Sequence, residues 1–259
     1  MRSIGLSIVV VLYAFLLAPL AIVFLTSFSN DTFLAFPPQH WGVAAYAALL
    51  GNHSFQQGLR TSLLLSSAVT AVSLVLGTAA AYAIARHSFA GRGVLLGLVT
   101  APLLLPTIII GLALLLVFSQ IGLLATFVGL MLGHCLVALP FVVRIVLTAI
   151  RGIPAAVEEA AATLGATPFR IFYRIILPLM IPGLIAAGAL AFLASFDEVV
   201  ISLFLVGPRI TTLPIAIFRY LDYRADPQIS ALSVVLIAFT LLIVVVIERT
   251  VGFAKAIGK

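Results

Sequence analysis

The sequence predicts an all-α membrane protein: six transmembrane helices, both termini on the cytoplasmic side, and a helical projection into the cytoplasm between the fourth and fifth spans. Three observations carry that reading. Of 259 residues, 63% are hydrophobic and 8% are charged, whereas a soluble domain carries about 25% charged residues. The apolar residues fall into runs long enough to cross a bilayer. The basic residues gather on one set of connecting segments.

A spanning helix needs about 20 apolar residues. Ile4 to Leu25 is the first such run. A cleaved signal peptide is its rival, but that would carry an apolar core of about 7–15 residues and a small-x-small site. This run is longer and Thr26-Ser27-Phe28-Ser29 is a poor cleavage site, so a retained span is expected. Thr61 to Ala85 is the second run. Gly93 to Val143 is also uncharged, and at about 1.5 Å per residue it is far too long for one crossing. It is expected to turn back near Ser119-Gln120-Ile121-Gly122, which makes spans three and four. Ile175 to Phe196, extended toward Val206, is the fifth, and Pro227 to Ile247 the sixth. Residues 1–259 are read as a single transmembrane domain.

Lysine and arginine choose the orientation. With the N-terminus inside, Arg2, Arg86, Arg92, Arg144, Arg151, Arg170, Arg174, Arg249, Lys255 and Lys259 fall on inner segments. Only Arg60, Arg209, Arg219 and Arg224 fall outside. The net charge of +6 therefore reflects loop orientation and does not point to nucleic acid. The single cysteine, Cys135, excludes an intramolecular disulfide framework and a cysteine-based zinc cluster.

Pro102, Pro106, Pro140 and Pro182 lie inside spans and predict kinked helices in a packed bundle. Gly129 and Gly133 make a small-xxx-small pair that permits close helix contact. No internal repeat is visible, so the inverted-repeat signature of many secondary transporters is missing. In the outer segment 207–226, Ile217, Phe218 and Leu221 recur at helical spacing, and Thr212 is placed to cap that helix. Arg219, Tyr220 and Tyr223 suit the membrane interface. The helix reads either as a simple connection or as a gate or docking element.

The largest inner segment runs from Arg151 to Arg174. Pro154 suits the first turn of a helix, where its missing donor costs nothing. Glu158 and Glu159 follow among alanines, which favour helix. Gly165 can adopt the left-handed conformation that ends a helix. Thr167 then caps a second helix with Pro168 in its first position. The segment is helix, glycine corner, helix, with Pro178 where the second helix meets the fifth span. Its carboxylates could pair with arginines in a partner's cleft or simply favour the helix start.

Glu159-Ala160-Ala161, Gly165 and Ile175-Ile176-Leu177-Pro178 match every specified position of a loop pattern: Glu-Ala-Ala, three residues, Gly, nine residues, Ile-x-Leu-Pro. With this pattern between spans four and five, the chain resembles the inner-membrane permeases of binding-protein-dependent ABC importers. The resemblance covers nearly the whole chain. Ser195-Phe196-Asp197-Glu198-Val199-Val200, Gly207-Pro208 and Thr211-Thr212-Leu213-Pro214 look like the spermidine/putrescine branch. It implies a bacterial inner-membrane protein with a coupling loop at about 151–178, in which Glu158, Glu159, Ala160, Ala161, Gly165 and Pro168 engage an ABC ATPase dimer. It also implies a second permease subunit, a different chain in that branch, and an extracytoplasmic solute-binding protein. ATP and Mg would reside in the ATPase.

Three polar residues inside the spans are candidates for the substrate path: Asp197, Glu198 and His134. Adjacent helical positions point about 100° apart, so Asp197 and Glu198 cannot face one cavity equally. Ordinary end charges are the alternative for the carboxylates, and a helix–helix hydrogen bond for His134. The chain lacks a Gly-rich phosphate loop with Lys-Ser/Thr, and no catalytic or metal-ligating constellation emerges. A membrane-embedded enzyme or an ion-driven transporter would leave the loop pattern unexplained.

Overall fold

The computed structural model describes the backbone of residues 2–251 and the side chains of 5–246, 248 and 249. Lys255, Lys259 and the side chain of Arg2, counted above on inner segments, lie outside the described residues. Among the described residues there are twelve α-helices and no strand.

The first compact unit comprises residues 1–57 and 216–242. It holds α1 (Arg2–Thr26), α2 (Ala44–Gly51) and the start of α3 (His53–Arg86). It also holds most of α11 (Leu213–Tyr223) and of α12 (Pro227–Val251). No residue of the best apolar window of α1 is buried, as expected for a helix whose solvent is lipid. At its C-terminal end the Thr26 hydroxyl donates to Ser230 of α12 at 2.9 Å and Ser27 meets the Tyr46 hydroxyl at 2.7 Å.

The second unit comprises residues 58–215 and 243–259. Its helices are the rest of α3, then α4 (Arg92–Thr100), α5 (Thr107–Ile121), α6 (Phe127–Arg151) and α7 (Ala155–Thr163). These are followed by α8 (Pro168–Ile171), α9 (Leu177–Phe196) and α10 (Val200–Leu205). The core is a layer of buried aliphatics in which α6 packs along α9 and α10 along α5, with Leu65, Leu130, Ile150, Met180 and Ile201 fully buried or nearly so. Glycines set the approach. A Cβ on Gly133 would lie 2.7 Å from Leu205, and one on Gly183 would lie 2.5 Å from Ala149. Gly133 therefore seats α10, while Gly129 abuts the Leu123 carbonyl of its own incoming loop, so the pair does not share one partner helix.

Among the described residues, five helices are long and apolar enough to cross a membrane: Gly5–Thr26, His53–Arg86, Phe127–Arg151, Pro168–Phe196 and Pro227–Val246. A sixth candidate is broken: Arg92–Leu104 and Thr107–Ile121 meet at 104°. The expected hairpin from Gly93 to Val143 turns where the sequence suggests, at Gly122, whose φ is 73°. Its first arm is bent where Pro102 and Pro106 predict a kink. Pro102 opens a 3₁₀ turn over Ala101–Leu104, and Pro106, unable to donate, starts α5 afresh. The fifth predicted run departs from expectation, because α9 stops at Phe196 and does not continue to Val206.

Candidate functional site

α6 ends at Arg151, and the chain bends through Ile153, whose N–H bonds the Ile150 carbonyl at 3.0 Å. Pro154 occupies the position just before α7. α7 closes with a complete Schellman motif: Ala166 N–H to Ala161 O at 3.1 Å and Gly165 N–H to Ala162 O at 2.9 Å. Gly165 takes φ 83°, the left-handed value its place in the sequence predicts. Thr167 accepts from Arg170 N–H at 3.4 Å and starts α8 with Pro168 first. Pro178 has no N–H for the Arg174 carbonyl. Just before it the chain widens into a π turn over Phe172–Ile176, with Leu177 N–H bonded to Phe172 O.

The corner is therefore a small rigid hook. Ala161, Ile171 and Ile176 are buried beneath it. Glu159, Ala160, Ala162 and Pro168 face outward, and Leu164 and Phe169 beside Gly165 are 89% and 72% exposed. Two large apolar side chains held in the open next to a fixed corner suit insertion into another protein's groove. The sequence reading passed over them. Their signal was apolar residues flanking a turn glycine outside any span.

Adjacent carboxylates divide here. Glu158 turns inward onto Arg86, the last residue of α3, in an ion pair at a mostly buried site. The same guanidinium donates to the carbonyls of Ile153 at 2.8 Å and Ile150 at 3.1 Å. Arg86 thus ties the end of α6, the start of α7 and α3 together. One turn earlier, Tyr82 packs edge-on to Phe172 with ring centroids 4.9 Å apart, so the C-terminal end of α3 touches both arms of the hook. Glu159 is exposed and has no ion-pair partner among the described residues. Arg86 was not singled out by sequence, because a terminal arginine in a span reads first as an orientation signal.

The second carboxylate pair divides the same way. Asp197 follows the last residue of α9 and is exposed. Glu198 folds over the start of α10 and accepts from Ile201 N–H at 2.9 Å. His134 lies 1% exposed in α6. Its Nδ1 lies 3.0 Å from the Ser195 hydroxyl and 3.1 Å from the Ser195 carbonyl, and its Nε2 lies 2.9 Å from the Ser202 hydroxyl. The imidazole stitches α6 across the break between α9 and α10. Thr212 does not cap α11 as expected: its buried hydroxyl finds no partner, and Leu213 N–H is taken by the Ser62 hydroxyl at 2.9 Å.

In the first unit, Asp31 organises the loop after α1. It accepts from the Ser29 hydroxyl at 2.8 Å and Gln39 N–H at 2.9 Å, and meets His40 Nδ1 at 2.8 Å. The His40 hydrogen bond, then those from Gln39 and Ser29, hold its carboxyl down at about 2. Tyr220 donates to Asp226 at 2.6 Å. Burial first, and that hydrogen bond second, push the phenol up to about 12.

Residues 73–253 match the model of the family described as the binding-protein-dependent transport system inner membrane component. The chain is 31% identical over 234 residues to the spermidine/putrescine transport system permease protein PotC of Escherichia coli K12, covering 90% of this chain and 88% of that one. It is 33% identical over 235 residues to the putrescine transport system permease protein PotI of the same organism, covering 87% and 82%. The fold is shared with the crystal structure of a bacterial ABC transporter involved in import of the acidic polysaccharide alginate, with a TM-score of 0.76 at 19% identity over 96% of each chain. With the hook built between two apolar spans and the family matched from the middle of α3 onward, this chain belongs to the inner-membrane components of binding-protein-dependent transport systems, the permease subunits of bacterial ABC importers.

Proposed function

We propose that this permease carries a polyamine, or another small cationic organic solute, across the inner membrane. In this reading the chain is one transmembrane domain with six spans, N-in and C-in, the bent pair forming the third. It lines the path together with a second, different permease, and receives solute from an extracytoplasmic binding protein. Each permease docks its hook on one subunit of an ATPase dimer, which supplies ATP and Mg; no ATP is hydrolysed in this chain. The hook with its exposed Glu159, Leu164 and Phe169 is the observation that carries the reading.

The mechanism is rigid-body coupling. Closure of the ATPases displaces the hook. Because Gly165 sits in a fully bonded Schellman corner, α7 and α8 move together instead of folding on each other. Arg86 passes the displacement from α7 to α3, and the continuous helical run from Pro168 to Phe196 passes it along the fifth span. Asp197, exposed at the outer end of that span, is suited to meet a cation, while Glu198 is occupied in capping α10.

The named relatives support a polyamine, but the shared fold does not choose cargo charge, since it also serves an importer of acidic alginate. Reconstitution with the ATPase, the second permease and the binding protein tests this. ATP-driven uptake of labelled putrescine or spermidine is expected, competed by other diamines and not by neutral sugars. Failure of the chain to co-purify with a nucleotide-binding subunit would remove the docking reading. Uptake competed only by sugars would remove the cationic one.

A further inference from the structure

Arg144, Thr148 and Arg151 fall at i, i+4 and i+7 of α6 and share one face of its last two turns. Opposite that face is the bend between α4 and α5, with Thr100, Leu103 and Leu104. Together these residues line a cleft of about 420 Å³. No acidic residue lines it. Among the described residues the ion pairs are His40–Asp31 and Arg86–Glu158, so neither cleft arginine is neutralised. Both threonine hydroxyls already donate to their own helices, Thr148 to Arg144 O at 2.9 Å and Thr100 to Leu96 O at 2.8 Å. The two guanidiniums are thus the free donors of the cleft, and its walls are leucine. Leu104 is 86% exposed at its rim.

Two unpaired guanidiniums ask for a multidentate oxyanion, and leucine walls ask for hydrocarbon. A phosphate joined to acyl chains supplies both. We propose that this cleft binds the phosphate headgroup of an anionic phospholipid of the inner leaflet, with its chains against Leu103 and Leu104. The inference rests on the inner placement of the α6 C-terminus proposed above. A cationic cargo would be repelled here, which separates this cleft from the path assigned to it.

The test uses the assembled importer in detergent, examined by native mass spectrometry with added phosphatidylglycerol or phosphatidylcholine of matched chains. The complex is expected to retain phosphatidylglycerol preferentially. The Arg144→Gln/Arg151→Gln variant should lose that preference by about fivefold per arginine, while Arg170→Gln, outside the cleft, should keep it. Equal retention by wild type and the double variant overturns the proposal. Displacement of the lipid by millimolar inorganic phosphate reassigns the cleft to a soluble anion and overturns the lipid. A disulfide or crosslink from Thr148→Cys to the second permease shows a protein occupant and overturns it too. Labelling of Thr148→Cys by an impermeant maleimide from the outside would instead sink the topology on which it rests, a failure distinct from the others.

Discussion

Glu158–Glu159 and Asp197–Glu198 are alike in sequence: each is a pair of adjacent acids. In the structure each pair splits into one bound and one free member. Glu158 is held by Arg86 and Glu198 by the Ile201 N–H, while Glu159 and Asp197 stand exposed. The physical causes differ: within α7 a rotation of about 100° between neighbours turns Glu158 inward and Glu159 out, whereas Asp197 and Glu198 lie in the link between α9 and α10, where Glu198 is drawn onto the Ile201 N–H. The breaks then differ in what surrounds them. The hook turns at a left-handed glycine in the open, flanked by exposed apolar residues. The α9–α10 break is sewn into the core by His134, Ser195 and Ser202. The hook's corner is rigid by backbone bonding, and the α9–α10 break by buried side-chain bonding.

The comparison breaks most readily at Arg86. Arg86→Ala leaves Glu158 unpaired at a mostly buried site and frees two carbonyls, a loss of about 2–4 kcal/mol in stability. ATP-driven uptake should fall more than about tenfold, by the same free-energy scale. Arg86→Lys, which lacks the fork, should recover only part. Thermal unfolding and proteoliposome uptake measure both. Wild-type values in Arg86→Ala would deny the tie between α3 and the hook any role.

Gly165→Val is next. A Cβ there meets no neighbouring atom within 4 Å, so the cost is conformational alone. A β-branched residue at φ 83° opposes the Schellman turn by about 1–2 kcal/mol or more. The variant should reach the membrane but lose coupling, seen as ATPase activity no longer stimulated by loaded binding protein. Full stimulation would show that the corner's geometry is not what the ATPase reads.

The acids of the outer break should separate by phenotype. Asp197→Asn is expected to raise the KM for spermidine by about fivefold, the effect of roughly 1 kcal/mol of lost charge attraction. Glu198→Gln keeps an acceptor for Ile201 and should change KM less than about twofold. Equal KM effects would dissolve the distinction between bound and free acid.

The smallest effect is in pH. The Asp31 carboxyl lies near 2 instead of its ordinary 3.8. Its contribution to the loop is complete above about 3.8 and is lost as pH falls through about 2. Tyr220 works in the opposite direction: its contribution is present below 10.0 and is lost as pH rises through about 12. Fluorescence of Trp41, the lone tryptophan and a β-bridge partner of Ser29, should report the acid transition. Asp31→Asn should abolish it.

Composition alone determined the solvent, and uncharged runs determined where the helices lie, because a bilayer tolerates little else. Local chemistry determined the hook: Gly165, Thr167 and Pro168 act on residues a few positions away and stand at the corner as read, while Pro154 precedes α7 instead of lying in its first turn. Tertiary structure decided what depends on distant partners. It stopped α9 at Phe196, gave Leu213 N–H to the Ser62 hydroxyl, and left the buried Thr212 hydroxyl without a partner among the described residues. It also decided which acid of each pair is free, since the choice lay with Arg86, 72 residues before Glu158, and with the break beside Glu198. Short-range bonding is written in adjacent letters. The pairing of charges across a bundle is a property of packing, visible only once the helices are in place.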